Sequence, residues 1–96
     1  MLAGEIMAKD IWFVYLLEFK DGSFYTGVTN DVDNRMKVHA SGEGSRYVRK
    51  KGFEKLLFAK PCGSKSDACK CEYQIKQLSH NEKLDYFYSS EDSRKF

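Results

Sequence analysis

Residues 11–19 read IWFVYLLEF, residues 20–23 read KDGS and residues 24–29 read FYTGVT. The first run is almost wholly apolar or aromatic and includes Ile and Val, which predicts a strand covered on both faces. The Lys-Asp-Gly-Ser segment is a turn and the last run a second strand, so residues 11–29 form a β-hairpin. Its register has two readings. A two-residue Asp-Gly loop places Tyr15 opposite Val28 and Tyr25 opposite Glu18, with the tyrosines on opposite faces. A three-residue loop from Lys20 to Gly22, with the glycine left-handed, places Tyr15 opposite Gly27 and Tyr25 opposite Leu17, on one face.

Beyond the hairpin, Asn30 or Asp31 caps a helix of about ten residues, DVDNRMKVHA, with acids in its first turn as the helix dipole prefers. Val32, Met36 and Ala40 recur at four-residue spacing and are expected to face the sheet, flanked by Arg35 and His39. Ser41-Gly42-Glu43-Gly44-Ser45 ends that helix and begins a basic loop. Lys55–Lys60 is a short third strand, ended by Pro61. Ser64 and Asp67 form a capping pattern before a helix whose apolar stripe is Ala68, Cys71, Ile75 and Leu78, with Glu72 on its edge. Ser79 and Glu82 repeat the pattern before a last helix that ends in Tyr86-Phe87-Tyr88. The expected order is β-β-α-β-α-α, an α/β (α+β) sheet covered by helices. Residues 1–9 are expected to be a flexible extension, with Met7 a candidate start, and residues 89–96 a frayed tail around a domain at 10–88.

With 96 residues, 42% hydrophobic and 15% aromatic, the chain fits one domain with one core. A single proline and 31% charged residues exclude a disordered or collagen-like polymer. No apolar run approaches the 18 or so residues of a membrane-spanning helix, and the start MLAGEIMAKD is no secretory signal, so a cytoplasmic location is expected. Three cysteines make an odd number for a disulfide scaffold. Cys69 and Cys71 lie about 200° apart on one helix, unsuited to clamping one metal, so reduced and partly buried thiols are expected.

The net charge of +2 hides an uneven distribution. Residues 1–34 carry a net −4, residues 35–60 a net +6 and residues 61–96 none. The basic block includes Arg46, Arg49, Lys50 and Lys51, with Tyr47 and Phe53 interleaved, as a nucleic-acid-binding face requires: cations for phosphates and rings for bases. A solvated surface that keeps a small protein soluble is the plainer account of the same charges.

No phosphate-binding glycine loop, zinc pattern or serine elbow is present. The polar residues left on packed elements are Tyr15, Tyr25, Arg35, His39 and Glu72. Singly, each has an ordinary structural account: a packed tyrosine, a solvated arginine, a core histidine, or Glu72 paired with Lys76 at i+4. Together they suit phosphodiester hydrolysis, which needs a cation for phosphate charge, a carboxylate for a metal and a path for the proton of water.

In order, Phe13-Val14-Tyr15, Tyr25-Thr26-Gly27, Arg35, His39, the Ser41–Gly44 loop and Glu72 resemble the GIY-YIG nuclease domain, and residues 11–87 resemble its small stand-alone bacterial members. The resemblance implies a three-stranded antiparallel sheet flanked by helices and a metal-dependent DNA nuclease, acting in repair or recombination. It makes Tyr15, Tyr25, Arg35 and His39 catalytic, with Tyr15 activating water, Arg35 stabilising the phosphate and His39 assisting proton transfer. Glu72 would hold a single Mg²⁺ or Mn²⁺, and Gly27 would allow close backbone approach. It also places both tyrosines in one cleft, which selects the three-residue loop. The implied partner is DNA, whether branched, nicked or single-stranded, and a protein partner is compatible. The chain departs from the family pattern at Phe13, in place of the first Gly, and at Thr26, in place of Ile. Two alternatives are a binding module that holds nucleic acid without cutting, and an interaction domain using the aromatics near Tyr86 to Tyr88.

Overall fold

A computed structural model describes residues 10–96; the expected N-terminal extension at 1–9 lies outside the described residues. β1 (Trp12–Phe19) and β2 (Phe24–Thr29) form the hairpin, followed by α1 (Val32–Ser41), α2 (Arg46–Lys51), β3 (Phe53–Gly63), α3 (Lys65–Lys76), α4 (His80–Ser89) and β4 (Arg94–Lys95). The strands pair antiparallel in the order β2-β1-β3-β4. The fold class is the expected one, an antiparallel sheet with helices packed on it.

The hairpin takes the three-residue loop. Phe19 N donates to Ser23 O at 2.8 Å, Gly22 N donates to Phe19 O at 2.9 Å, and Gly22 is left-handed at φ +85°. Tyr15 therefore pairs with Gly27, and Leu17 with Tyr25. Because β1 is central and its side chains alternate, it divides the core in two. Val14 and Leu16 pack with Phe58, Ile75 and Phe87 beneath α3 and α4. Tyr15, Leu17 and Phe19 pack with Ala59 and Val48 beneath α1 and α2. Each fully buried aliphatic side chain of these layers contributes about 1.5–3 kcal/mol of transfer free energy.

The caps follow the sequence. Asp31 accepts from Asn34 N at 3.1 Å, and α1 closes on left-handed Gly42. Ser64 with Asp67, and Ser79 with Glu82, form complete capping boxes.

Four expectations are corrected. The basic loop contains a helix, α2, because one residue, Val48, is wholly buried and the surrounding Arg and Lys are good helix formers; a single apolar residue leaves no period to read. The sheet has four strands rather than three, since the supposedly frayed tail supplies β4 on Phe58 and Ala59, with Phe96 N donating to Leu57 O at 2.9 Å. The sheet therefore extends past the expected domain end at residue 88. β3 runs through Pro61 to Gly63. Leu57 turns its carbonyl to the β4 flank, so by alternation Pro61 faces the same flank, beyond the two residues that pair there, and its missing N–H costs no ladder bond. In α1, Val32 and Met36 pack on the sheet as expected, but Ala40 is exposed and His39 takes the buried position.

Candidate active site

Tyr15 projects from the centre of β1 toward α1, and Tyr25 projects from β2 on the same face. His39 reaches them from the last turn of α1, one turn after Arg35. The three rings form a triangle: centroids lie 6.4 Å apart for Tyr15 and Tyr25, 6.0 Å for Tyr15 and His39, and 6.1 Å for Tyr25 and His39. Tyr15 and His39 are both buried, at 2% and 4% exposure, and the Tyr15 hydroxyl meets His39 Nε2 at 2.9 Å.

The backbone makes room for this pair. Gly27 lies directly across the ladder, and a Cβ there would fall on the Tyr15 hydroxyl and 2.6 Å from ring atom Cζ. Gly44 closes over the histidine, and a Cβ there would stand 3.1 Å from His39 Nδ1. The glycine of the second half-motif is thus a packing requirement of the tyrosine–histidine pair, while a side chain at the loop glycine would ask Val38 and His39 to give by a few tenths of an ångström.

Burial pushes the Tyr15 phenol up; the neighbouring Tyr25 and the Glu72 carboxylate add to this, while the Arg35 charge opposes it. Burial and the Arg35 charge hold His39 below its ordinary value. At neutral pH the phenol is therefore protonated and the imidazole neutral. With the imidazole proton on Nδ1 the Tyr15 O–H donates to Nε2, and with it on Nε2 the ring donates to the phenol oxygen. That Nδ1 is buried without a hydrogen-bond partner.

Glu72 lies on α3, on the other side of the sheet from α1. It is half-buried on the flank of that helix, and its Oε2 meets Lys76 Nζ at 3.3 Å. Its charge still reaches the Tyr15 hydroxyl, as does that of Arg35. Among the described residues no three His, Cys, Asp or Glu side chains gather into a metal cage. A lone carboxylate suits a hard divalent ion that keeps most of its water shell, the usual habit of Mg²⁺.

The basic segment borders the same cleft through Tyr47, whose ring lies 6.1 Å from that of Tyr25 and 5.6 Å from that of Phe19. Arg46, Tyr47, Arg49 and Lys50 are exposed on α2. Lys51 is held back: its Nζ meets Asp21 Oδ2 at 2.6 Å and sits 5.8 Å from the Phe19 ring centroid, tying α2 to the hairpin turn. Asp21 and Phe19 support the site and escaped the sequence reading, while Phe53, read with Tyr47 as an aromatic interleaved in the basic block, brings its ring to 6.2 Å from that of His39. The types of Asp21 and Phe19, a turn acid and a core aromatic, carry no signal of this role. The three cysteines are free thiols: Cys69 exposed, Cys62 and Cys71 half-buried. Of the aromatics from Tyr86 to Tyr88, Phe87 is buried and Tyr88 is largely exposed, at 61%.

The model of the GIY-YIG catalytic domain matches residues 11–85. The chain is 49% identical over 71 residues to the UPF0213 protein BH0048 of Halalkalibacterium halodurans, covering 74% of this chain and 76% of that one. It is 43% identical over 72 residues to the UPF0213 protein YhbQ of Escherichia coli K12, covering 75% and 72%. A solution NMR structure of the UPF0213 protein BH0048 from Bacillus halodurans aligns with 47% identity over 79% of this chain and 81% of that one, at a TM-score of 0.49. With the family model spanning the hairpin, α1 and α3, the chain belongs to the GIY-YIG catalytic-domain family, a family of nucleases.

Proposed function

We propose that the protein is a divalent-metal-dependent DNA nuclease whose attacking water gives its proton to Tyr15 as Tyr15 gives its own to His39. The observation that carries this reading is the buried hydrogen bond of 2.9 Å between the Tyr15 hydroxyl and His39 Nε2, read in the tautomer that leaves Nε2 free to accept. A phenol at its ordinary pKa near 10 is ionised in only about one molecule per thousand at pH 7, and burial makes phenolate rarer still. A neutral imidazole at the far side of the hydroxyl removes the need for phenolate. The phenol oxygen accepts one proton while its own moves to Nε2, so the charge left behind is a His39 imidazolium and not a buried phenolate. The charge Arg35 directs at this hydroxyl supports a role in holding the phosphate, where its planar fork meets two oxygens of the developing dianion. Tyr25 lines the cleft beside it. Mg²⁺ or Mn²⁺ held by Glu72 would supply Lewis acidity at the phosphate. The exposed cations of α2, with Tyr47, grip the strand. Branched or nicked DNA met during repair or recombination is the substrate class we favour.

The test is cleavage of branched, nicked, single-stranded and duplex DNA with Mg²⁺ or Mn²⁺ by the wild type, Arg35→Ala and Glu72→Gln. Loss of cleavage in both variants with binding retained is the expected result. Wild-type protein inert on every substrate, or variants equal to it, overturns the assignment.

One observation favours a binding module instead: Glu72 already has a partner in Lys76. On that reading, salt-sensitive binding survives Glu72→Ala and no cleavage accompanies it.

A further inference from the structure

A pocket of about 340 Å³ opens on the same face of the sheet as the tyrosine–histidine pair, one step along β1. Its lining includes Phe13, Val32, Asp33, Ala59, Arg94 and Phe96. Phe13 is two residues from Tyr15 on β1, about 7 Å along the strand. Ala59 lies directly across the ladder from Tyr15, and Val32 packs in the turn of α1 before Arg35. The pocket therefore adjoins the place where a phosphate would sit between Tyr15 and Arg35. Phe13 stands where the family pattern has glycine, and Arg94 and Phe96 come from the tail, beyond the residues 11–85 that the family model matches.

We propose that this pocket holds an unpaired nucleobase of the substrate strand, adjacent to the cleaved phosphate. This rests on the nuclease reading for its strand and on the pocket's own chemistry for its occupant. Phe13 is half-buried, and Phe96 is 58% exposed although its backbone N–H is bonded to the Leu57 carbonyl. Aromatic rings at a cavity mouth offer stacking to any base. Asp33, with Asp31 in the same lining, repels a bare phosphate, and its carboxylate can accept a hydrogen bond from an exocyclic amino group. Arg94 supplies the cation that the attached backbone phosphate needs. A free anion satisfies only Arg94, and an aliphatic ligand satisfies only the rings; a nucleotide satisfies all three. A base in this pocket is unstacked from its neighbours, so the site selects single-stranded or frayed DNA at the point of cutting.

The experiment is binding of fluorescein-labelled single strands by anisotropy in EDTA, with one abasic residue walked along the strand. Wild type is expected to lose about tenfold in affinity when the abasic residue falls at one position. Phe96→Ala and Phe96→Leu lose that discrimination, Phe96→Trp keeps it, and melting temperatures establish that each variant is folded. Equal loss at every position, or discrimination unchanged in Phe96→Ala, overturns the pocket. Cleavage with Mg²⁺ or Mn²⁺ is scored separately. Abasic discrimination in a protein that never cuts supports the pocket and removes the nuclease reading; cutting without dependence on Phe96 does the reverse. Failure to bind any strand overturns both.

Discussion

Gly27 and Tyr15 face each other across the β1–β2 ladder, and the phenol lies over the glycine so closely that a methyl group there would sit 2.6 Å from its Cζ. The glycine therefore sets the height of the phenol above the sheet, and with it the distance to His39. Gly27→Ala must push Tyr15 off its bond to Nε2 or strain the hairpin. We expect a loss of about 1–3 kcal/mol in folding stability, as for other overpacked cores, and near-complete loss of cleavage. Chemical denaturation together with a nicking assay checks both; an alanine variant with wild-type activity refutes the positioning role.

Removal of the Tyr15 hydroxyl tests the relay itself. Tyr15→Phe leaves His39 Nε2 buried without a donor, at a cost of about 1–3 kcal/mol, and is expected to slow cleavage by about 10²–10⁴-fold. Tyr25→Phe, at the half-buried corner of the triangle, is expected to cost less in rate. Single-turnover kinetics rank the two, and a larger effect at Tyr25 would assign the proton transfer to the other tyrosine.

Acid should destabilise the fold before the carboxylates titrate. His39 is held below its ordinary value of 6.5 by burial and Arg35. Below about pH 6.5 the unfolded chain binds a proton at this position that the folded protein resists, so stability is full above that pH and falls as pH descends toward the folded-state value. Asp21, Asp67 and Glu82 are lowered by their hydrogen bonds to Lys51, Ser64 and Ser79, and their contributions fade only below about pH 4.5. Melting temperature is thus expected to fall between about pH 6.5 and 5 in the wild type and to stay flatter in His39→Gln. A wild-type profile flat across that window contradicts the buried neutral imidazole.

The cations of α2 should divide by what already holds them. Arg49→Ala or Lys50→Ala is expected to lower the slope of log affinity against log salt by about 0.7–0.9, one phosphate contact each. Lys51→Ala, whose ammonium is bound to Asp21, is expected to leave the slope nearly unchanged and to loosen the hairpin turn. Titrations at three or more salt concentrations decide it; equal slopes for all three variants refute the division.

Most of the fold is legible because its signals are local. Ser64 with Asp67 and Ser79 with Glu82 sit three residues apart and cap their helices from side chains alone. The apolar run at 11–19 has a single economical reading, a strand buried on both faces. β4 was not legible: Arg94 and Lys95 carry no strand pattern, and they pair because β3 has an open edge beside them. α2 escaped for a similar reason, its helix resting on one buried valine.

The sequence by itself determined the order of the elements, their caps and the five polar residues worth attention, because periodicity and capping act within a few positions of the chain. Its residues alone allowed two hairpin registers, between which the family resemblance chose the three-residue loop that the left-handed Gly22 takes, and it misplaced His39 on the flank of α1. Only the tertiary structure decided that Ala40 turns outward, that His39 is buried against Tyr15, and that the charges of Arg35 and Glu72 both reach one hydroxyl from opposite sides of the sheet. Those relations join residues 20 to 60 positions apart. Their strength depends on burial, which desolvates the phenol and the imidazole together, and burial belongs to the packed layers rather than to any segment.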